Sequence, residues 1–463
     1  MHYTDAVHPM DMKLYQSKFS TPNQRRIWSE ENIIAKRLLV EATLAEAQAE
    51  LGMIPREAAE EIRKKATTEH LTAERYAELY ALKGHDIVAL VWGLNEVCEK
   101  PWGEYVHWRS TTQDILWTST AILIQEAIDD LLREMRETEG VMMRLMEEHK
   151  LTLMAGRTHG QHCPPITFGF YLGILTAALR RHIERMKAAR ERIRVAKITG
   201  AVGTGSSYGP PEVALELGER VAAKLGLTFP TITESEVTRD RVAEYLDVLS
   251  LTSVTFEKLF RDIWTYQRPE IGEVAEPFRE GEQVGSSTLA HKRNPFGCEW
   301  VQGVARMIRS HAYAVNEIFC FDIRDGVRLA VEYTAVPACS CMAAAMLSAA
   351  RAILAGLQVN RERMRKNLFI EKGLSMDEPV MLALAQHLGR QSAHELVYNI
   401  THGAFHEGLS LKEALLQDET VRKYLSASDI DRLTDYGQYL GTAPHQVGAT
   451  LEALRGARAA DGM

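Results

Sequence analysis

Apolar residues recur along the chain at helical spacing, and they do so over unusually long stretches. From about 120 to 146, Ile124, Ile128, Leu131, Met135, Met142 and Leu145 return every three, four or seven positions. From about 167 to 196, Leu172, Leu175, Leu179, Ile183, Met186 and Ile193 do the same, opposite a face of Arg, Glu and Lys. A third stripe, from about 239 to 266, consists of Val242, Tyr245, Leu249, Phe256, Leu259 and Ile263. Each stretch exceeds the usual length of a globular helix and contains few breakers. Sustained alternation of β-branched residues is nearly absent. The pattern predicts an all-α chain built around a bundle of long helices. Stripes of this length need partner surfaces, so oligomerisation is expected.

Breakers divide the rest. Ser20-Thr21-Pro22 predicts a capped helix start. Pro101-Trp102-Gly103 closes an N-terminal helical region, and His162-Cys163-Pro164-Pro165 is expected to open the second long helix. Gly200 to Pro211 reads as a loop; its Gly203-Thr204-Gly205 follows no strand and so is not a phosphate loop. Gly373, Gly389 and Gly408 punctuate shorter helices near the end. Three helical domains are expected: an N-terminal one over 1–110, the central bundle over 111–357 with a polar loop near 277–296, and a C-terminal one over 358–463.

Composition narrows the function. Hydrophobic residues are 46% and charged residues 25%, with net charge −8 and no basic tract interleaved with aromatics, so nucleic acid is not an expected partner. An anionic ligand would need a locally built site. The six cysteines form no CxxC pair and lie near no histidine cluster, which points to reduced thiols and to no metal or other cofactor. Met-His-Tyr-Thr-Asp lacks the basic-then-apolar pattern of a signal peptide, and no apolar run reaches membrane-spanning length. A soluble cytoplasmic protein without a membrane partner is expected.

Candidate chemistry concentrates in polar clusters. Gly285-Ser286-Ser287-Thr288-Leu289-Ala290-His291-Lys292-Arg293-Asn294-Pro295 places hydroxyls, a histidine, a lysine and an amide in one turn-rich run. It could be a lid over an anionic substrate or simply a solvated turn. Gly84-His85-Asp86 reads as a helix start with a surface histidine. His107-Trp108-Arg109-Ser110-Thr111-Thr112-Gln113-Asp114 leads into a long helix, where N–H groups and hydroxyls can cradle a carboxylate or merely cap. Gly156-Arg157-Thr158-His159-Gly160-Gln161-His162 sets a histidine on a tight turn, suited to acid–base work near neutral pH. Thr238-Arg239-Asp240-Arg241 is consistent with a plain charged helix start.

Together and in this order, the clusters resemble the aspartase/fumarase superfamily. Residues 285–295 resemble its Gly-Ser-Ser-x-Met-Pro-x-Lys-x-Asn-Pro loop, joined by Thr111-Thr112-Gln113-Asp114 and Thr158-His159-Gly160-Gln161. Glu270-Ile271-Gly272-Glu273-Val274 and Arg26-Ile27-Trp28-Ser29-Glu30-Glu31-Asn32 resemble the adenylosuccinate lyase branch, over nearly the whole chain. The resemblance implies a homotetramer with a shared core of long helices and active sites assembled from three chains. It implies abstraction of a proton beside a carboxylate and expulsion of a group from the adjacent carbon, usually with release of fumarate. On that resemblance Ser286 is the base, with Lys292 and Asn294 holding the carboxylate. His159 is the general acid and Glu299 its carboxylate partner. Thr111, Thr112, Gln113 and Thr158 hold the second carboxylate, and His85 lies near the leaving group. Asp86, Gln161 and Ser287 join them as substrate-binding neighbours.

Departures bear on the substrate. Where adenylosuccinate lyases carry paired serines and an arginine for the nucleotide phosphate, this chain has Leu329-Ala330 and Tyr333, and an Arg-Tyr pair becomes Lys18-Phe19. Arg324 and Arg328 remain as candidate substrate-binding cations. Thr238 stands in place of a glutamine, and Leu289-Ala290 in place of Met-Pro. Trp108, Gln113-Asp114 and Glu332-Tyr333 resemble 3-carboxy-cis,cis-muconate cycloisomerases. The expectation is a carbon–nitrogen lyase that splits an N-substituted aspartate into fumarate and an amine, with a degraded nucleotide-phosphate site. Adenylosuccinate lyase proper in purine biosynthesis, the cycloisomerase and a silent structural family member are the alternatives. The intact Ser286, Lys292, Asn294, His159 and Glu299 set argues against the last.

Overall fold

The computed structural model describes residues 8–232, 238–318 and 326–462. Its longest element, Thr112–Glu148, runs 37 residues. Phe168–Ile193, Asp240–Tyr266, Phe296–Asn316 and Val327–Ala355 are also long, as is Glu30–Glu50. The three expected stripes fall on Thr112–Glu148, Phe168–Ile193 and Asp240–Tyr266. Ile124, Ile128, Leu131 and Met135 are all fully buried, as are Leu172, Leu179 and Ile183. The stripe, rather than residue propensity, holds such helices in place.

Val327–Ala355 corrects one expectation. It is long and apolar enough to cross a membrane, yet 61% of its most apolar window is buried within the protein. A helix that is apolar on every side and buried among others is a core helix.

The chain divides into two compact units, each made of three separate stretches, and the divisions fall within the long helices. One unit comprises 1–135, 182–254 and 303–348. Its N-terminal helices, Glu30–Glu50, Arg56–Lys65, Ala73–Lys83 and Asp86–Val97, bury Leu38, Leu44, Ile62, Leu71, Leu90 and Leu94 together with Leu217 and Val221 of Pro211–Lys224. Polar bonds fix the long helices in this unit. Trp117 Nε1 donates to the Val195 carbonyl at 2.7 Å, and the Tyr245 and Ser340 hydroxyls pair at 2.7 Å in the core. Arg239, expected on a plain helix start, forms a buried ion pair with Glu332.

The other unit comprises 136–181, 255–302 and 349–463. Its C-terminal helices surround Leu368, Met376, Val380, Leu384, Leu411, Leu415 and Ile430. Buried Glu139 and Asp461 both bind Arg180, which ties the final helix, Ala443–Ala460, to the long ones. Gly373, Gly389 and Gly408 sit at helix ends with positive φ, as expected of breakers.

Residues 162–165 do not open a helix. They belong to Gln161–Thr167, which pairs antiparallel with Leu153–Thr158, and the long helix starts only at Phe168. Pro164 and Pro165 lack N–H donors and disfavour a helical residue before them, and in a two-stranded hairpin their missing donors can face outward. A second small ladder joins Val274–Ala275 to Gln358–Val359. Among the described residues, the remaining regular elements are helices, with one isolated bridge between Val195 and Thr228.

Candidate active site

Each unit contributes its own group of candidate residues. In the first, residues 107–111 lead into Thr112–Glu148, and His107 and Arg109 hold φ of 59° and 60°. Such left-handed conformations cost about 1–2 kcal/mol in a residue with a side chain, and the surroundings hold them. His107 Nδ1 pairs with buried Glu41 at 2.7 Å, Gln48 Nε2 donates to the Trp108 carbonyl at 2.7 Å, and Ser207 Oγ donates to the Arg109 carbonyl at 2.8 Å. Thr111, Thr112 and Gln113 follow, half-buried.

His85 caps Asp86–Val97, its Nδ1 accepting from the Val88 N–H at 3.4 Å. Asp86 lies 3.6 Å from Arg37, and the Tyr333 hydroxyl donates to it at 3.5 Å. His85, Asp86, Thr112, Arg37, Leu329 and Tyr333 line one hollow of about 530 Å³. Burial foremost pushes the Tyr333 phenol up to about 12, so it remains a donor. Arg328 is buried in the first turn of Val327–Ala355 and is not among the residues of that lining. Arg324 lies outside the described residues.

In the second unit, His159 and Gly160 form the two-residue turn of the hairpin, with φ of 52° and 79°, between the paired Thr158 and Gln161. Both signs positive is the turn geometry that matches strand twist. All four residues are exposed, with His159 at the tip. The stem is rigid. Gly156 approaches the Pro164 carbonyl so closely that a Cβ there would sit 2.3 Å from its oxygen. Arg157 Nη1 donates to fully buried Glu273 at 3.0 Å, and Asn367 Nδ2 donates to the same carboxylate at 2.8 Å.

The polar loop is pinned at its base. Glu276, ahead of it, accepts from the backbone N–H groups of Gly297 (3.2 Å) and Cys298, in the first turn of the helix beyond it. Gln267 accepts from the Glu276 N–H at 2.8 Å and donates to the Arg293 carbonyl at 3.1 Å. Within the loop, Arg293 bonds Glu280 at 2.7 Å. Gly285 serves a tight crossing. A Cβ on it would lie 2.2 Å from the Lys292 carbonyl oxygen, so only glycine lets the Ser286 segment run against the Lys292 segment. Ser286 Oγ accepts from the Leu289 N–H at 3.2 Å and the Thr288 N–H at 3.4 Å. Ser287 and Lys292 are exposed and Asn294 is half-buried.

Lys292, Asn294 and Glu299 line a cavity of about 560 Å³ with Trp264, Gln267 and Arg268. Glu299 accepts from Trp264 Nε1 at 3.1 Å. Among the described residues, no hydrogen bond joins it to His159. Reasoning from sequence did not single out Glu276, Gln267 or Trp264, since each acts on a partner across the loop.

Known proteins resemble the whole chain. Residues 8–310 match a lyase family model, and 373–450 match that of the adenylosuccinate lyase C-terminus. The chain belongs to the aspartase/fumarase superfamily of lyases. The adenylosuccinate lyase of Methanocaldococcus jannaschii is 40% identical over 97% of this chain and 96% of its own length. The N-acetyl-S-(2-succino)cysteine lyase of Dickeya dadantii is 35% identical over 97% of this chain and 98% of its own. Among solved structures, a fumarate lyase from Mesorhizobium sp. BNC1 superposes with a TM-score of 0.87 at 34% identity, covering 94% of this chain and 98% of that one. A 3-carboxy-cis,cis-muconate lactonizing enzyme from Pseudomonas putida reaches 0.88 at 30% identity, covering 96% and 99%. The expected enzyme class, a fumarate-releasing carbon–nitrogen lyase, holds.

Two outcomes follow for the lyase. Gly285→Ala should lower kcat at least about tenfold, since forcing apart the Ser286 and Lys292 segments misplaces reacting groups. Its melting temperature should stay near wild type because the loop is exposed; steady-state kinetics and a thermal melt check both. His107 tests pH dependence. Burial alone would lower its pKa, but the charge and hydrogen bond of Glu41 outweigh that and leave it raised. The pair's contribution to stability is therefore full below the unfolded histidine value of about 6.5 and fades as pH rises through the raised folded value. Unfolding midpoints of wild type and His107→Gln between about pH 5.5 and 9 should converge toward the alkaline end.

Proposed function

We propose that the lyase carries out the adenylosuccinate lyase reaction, splitting an N-substituted aspartate into fumarate and the amine. The observation that carries this is the match of 373–450 to the adenylosuccinate lyase C-terminus, together with 40% identity to an adenylosuccinate lyase along almost the full chain. This favours the nucleotide substrate over the expected loss of its phosphate site.

In the proposed mechanism, Ser286 takes the proton from the carbon beside one carboxylate. Serine is a poor base unless its alkoxide is stabilised, and the Thr288 and Leu289 N–H groups already point at Oγ. Lys292 and Asn294 hold that carboxylate as it takes up the carbanion's charge. Electrons then flow back, the carbon–nitrogen bond breaks toward nitrogen, and His159 supplies the proton that the leaving amine needs. Glu299, which accepts from Trp264 Nε1, would serve as the carboxylate partner of His159. Thr111, Thr112 and Gln113, with Thr158 and Gln161, would hold the second carboxylate, and His85 and Asp86 would face the leaving group. With membership of the superfamily, the proposal includes a homotetramer in which three chains build each site, with a native mass near four times 52.0 kDa.

One observation favours a second reading. Among the described residues, the hollow holding His85 and Asp86 is lined by Leu329 and Tyr333 and by a single arginine, Arg37, which donates to the Tyr76 hydroxyl at 2.7 Å. A phosphate dianion wants several charge-assisted donors. A smaller succinyl adduct without a phosphate would suit that lining, and the Dickeya dadantii relative is named for such an adduct.

A substrate panel separates the readings: adenylosuccinate, other N-substituted aspartates, an S-succinyl thioether and carboxymuconate. Fumarate release from adenylosuccinate at micromolar concentration is expected. Turnover of a small adduct with adenylosuccinate inert would move the enzyme to the second reading, and lactone formation without fumarate would sink both. Ser286→Ala should lose at least about a thousandfold in kcat while remaining a folded tetramer.

A further inference from the structure

The carboxylate of Asp114 is fully buried in the first turn of Thr112–Glu148, with donors on both oxygens. Oδ1 receives Lys197 Nζ at 2.7 Å, the Thr199 N–H at 3.0 Å and the Gly200 N–H at 3.2 Å. Oδ2 receives the Tyr208 hydroxyl at 2.8 Å, the Thr111 N–H at 3.1 Å and Ser110 Oγ at 3.2 Å. Lys197 is 2% exposed and Tyr208 1%. Three separate stretches, 110–111, 197–200 and 208, thus meet on one charged group.

A buried ion pair is no better for stability than apolar residues of equal volume. What it fixes is position, because both partners must be satisfied in one geometry. The loop that needs fixing is adjacent. It carries two side-chain-bearing residues in left-handed conformation, His107 and Arg109, and Thr112 just beyond it lines the hollow with His85 and Asp86. Released from Asp114, Ser110 and Thr111 would lose their inner hydrogen bonds, and the strained turn could relax.

We propose that Asp114, paired with Lys197, is the positioning residue that sets Thr111, Thr112 and Gln113 for the substrate's non-reacting carboxylate. The proposal rests on the reading of those three residues as a carboxylate cradle. Groups that hold a carboxylate equally before and during reaction change KM and leave kcat alone, which gives the role a signature that simple destabilisation lacks.

The test measures fumarate affinity, by calorimetry and by product inhibition, together with KM and kcat on the substrate the panel identifies. Tyr208→Phe and Ser110→Ala each remove one donor and keep the ion pair. Asp114→Asn with Lys197→Met removes both charges, so neither is left buried alone. Thr112→Ala reports on the cradle itself. The single-donor variants should weaken fumarate about fivefold and raise KM in step, with kcat within about twofold and the melting temperature nearly unchanged. The charge-free pair should weaken fumarate at least about thirtyfold. Folded single-donor variants that bind fumarate as tightly as wild type, while Thr112→Ala does not, overturn the positioning role alone. A kcat loss without a KM change also overturns it. Unchanged affinity in Thr112→Ala removes the cradle, and the role of Asp114 with it.

Discussion

A long helix begins with backbone N–H groups that it cannot satisfy itself, and in this lyase carboxylates stand at two such starts. Asp114 sits in the first turn of Thr112–Glu148 and draws in the loop before it, together with Lys197 and Tyr208. Glu276 reaches across the polar loop to the first turn of Phe296–Asn316. Anions are favoured at helix starts, where the peptide dipoles leave partial positive charge. Glu276 thereby satisfies N–H groups of its helix, Asp114 takes the Thr111 N–H just ahead of its own, and each locates a neighbouring loop. Most of the candidate chemistry hangs on these two attachments.

The remaining attachments follow the same economy. The His159 turn rides on a hairpin whose stem is held by Arg157 and Asn367 on buried Glu273, and whose root, Ala155, packs in the C-terminal core. Exposed polar residues are thus carried on parts that cannot drift. The loop from 277 to 295 differs, since most of its interior is exposed and it is held at its feet, by the Arg293–Glu280 pair and at the Gly285 crossing. That arrangement suits a segment that must let substrate in and then close.

The long helices were legible because a 3.6-residue period over 25 positions leaves little choice of structure. Glycine and proline breakers fell at real boundaries for Thr21-Pro22, Gly373, Gly389 and Gly408. The hairpin at 153–167 was not legible, because its two strands are short and Pro164-Pro165 also fits the start of a helix. In the candidate site, residues suited to the chemistry could be proposed from type, order and family resemblance. Residues that hold them could not. Glu276 bonds N–H groups more than twenty positions away, and Lys197 meets Asp114 from a different part of the chain. Nothing local marks such a pairing. The close contact at Gly285 was not legible either, since a glycine that permits mobility and a glycine that permits contact look alike in sequence.

The division of each unit into three separate stretches governs how the chain can be made. The unit holding His85 and Thr112 lacks a full set of parts until 348 has been synthesised, and the one holding Ser286 and His159 waits for the last residues of the chain. Domains usually fold in turn as they leave the ribosome. Here neither unit can close early, so the apolar Val327–Ala355 segment emerges before all its neighbours exist. Until those neighbours arrive, its uncovered apolar surface favours aggregation. A truncated product would be no smaller enzyme, only two unfinished cores.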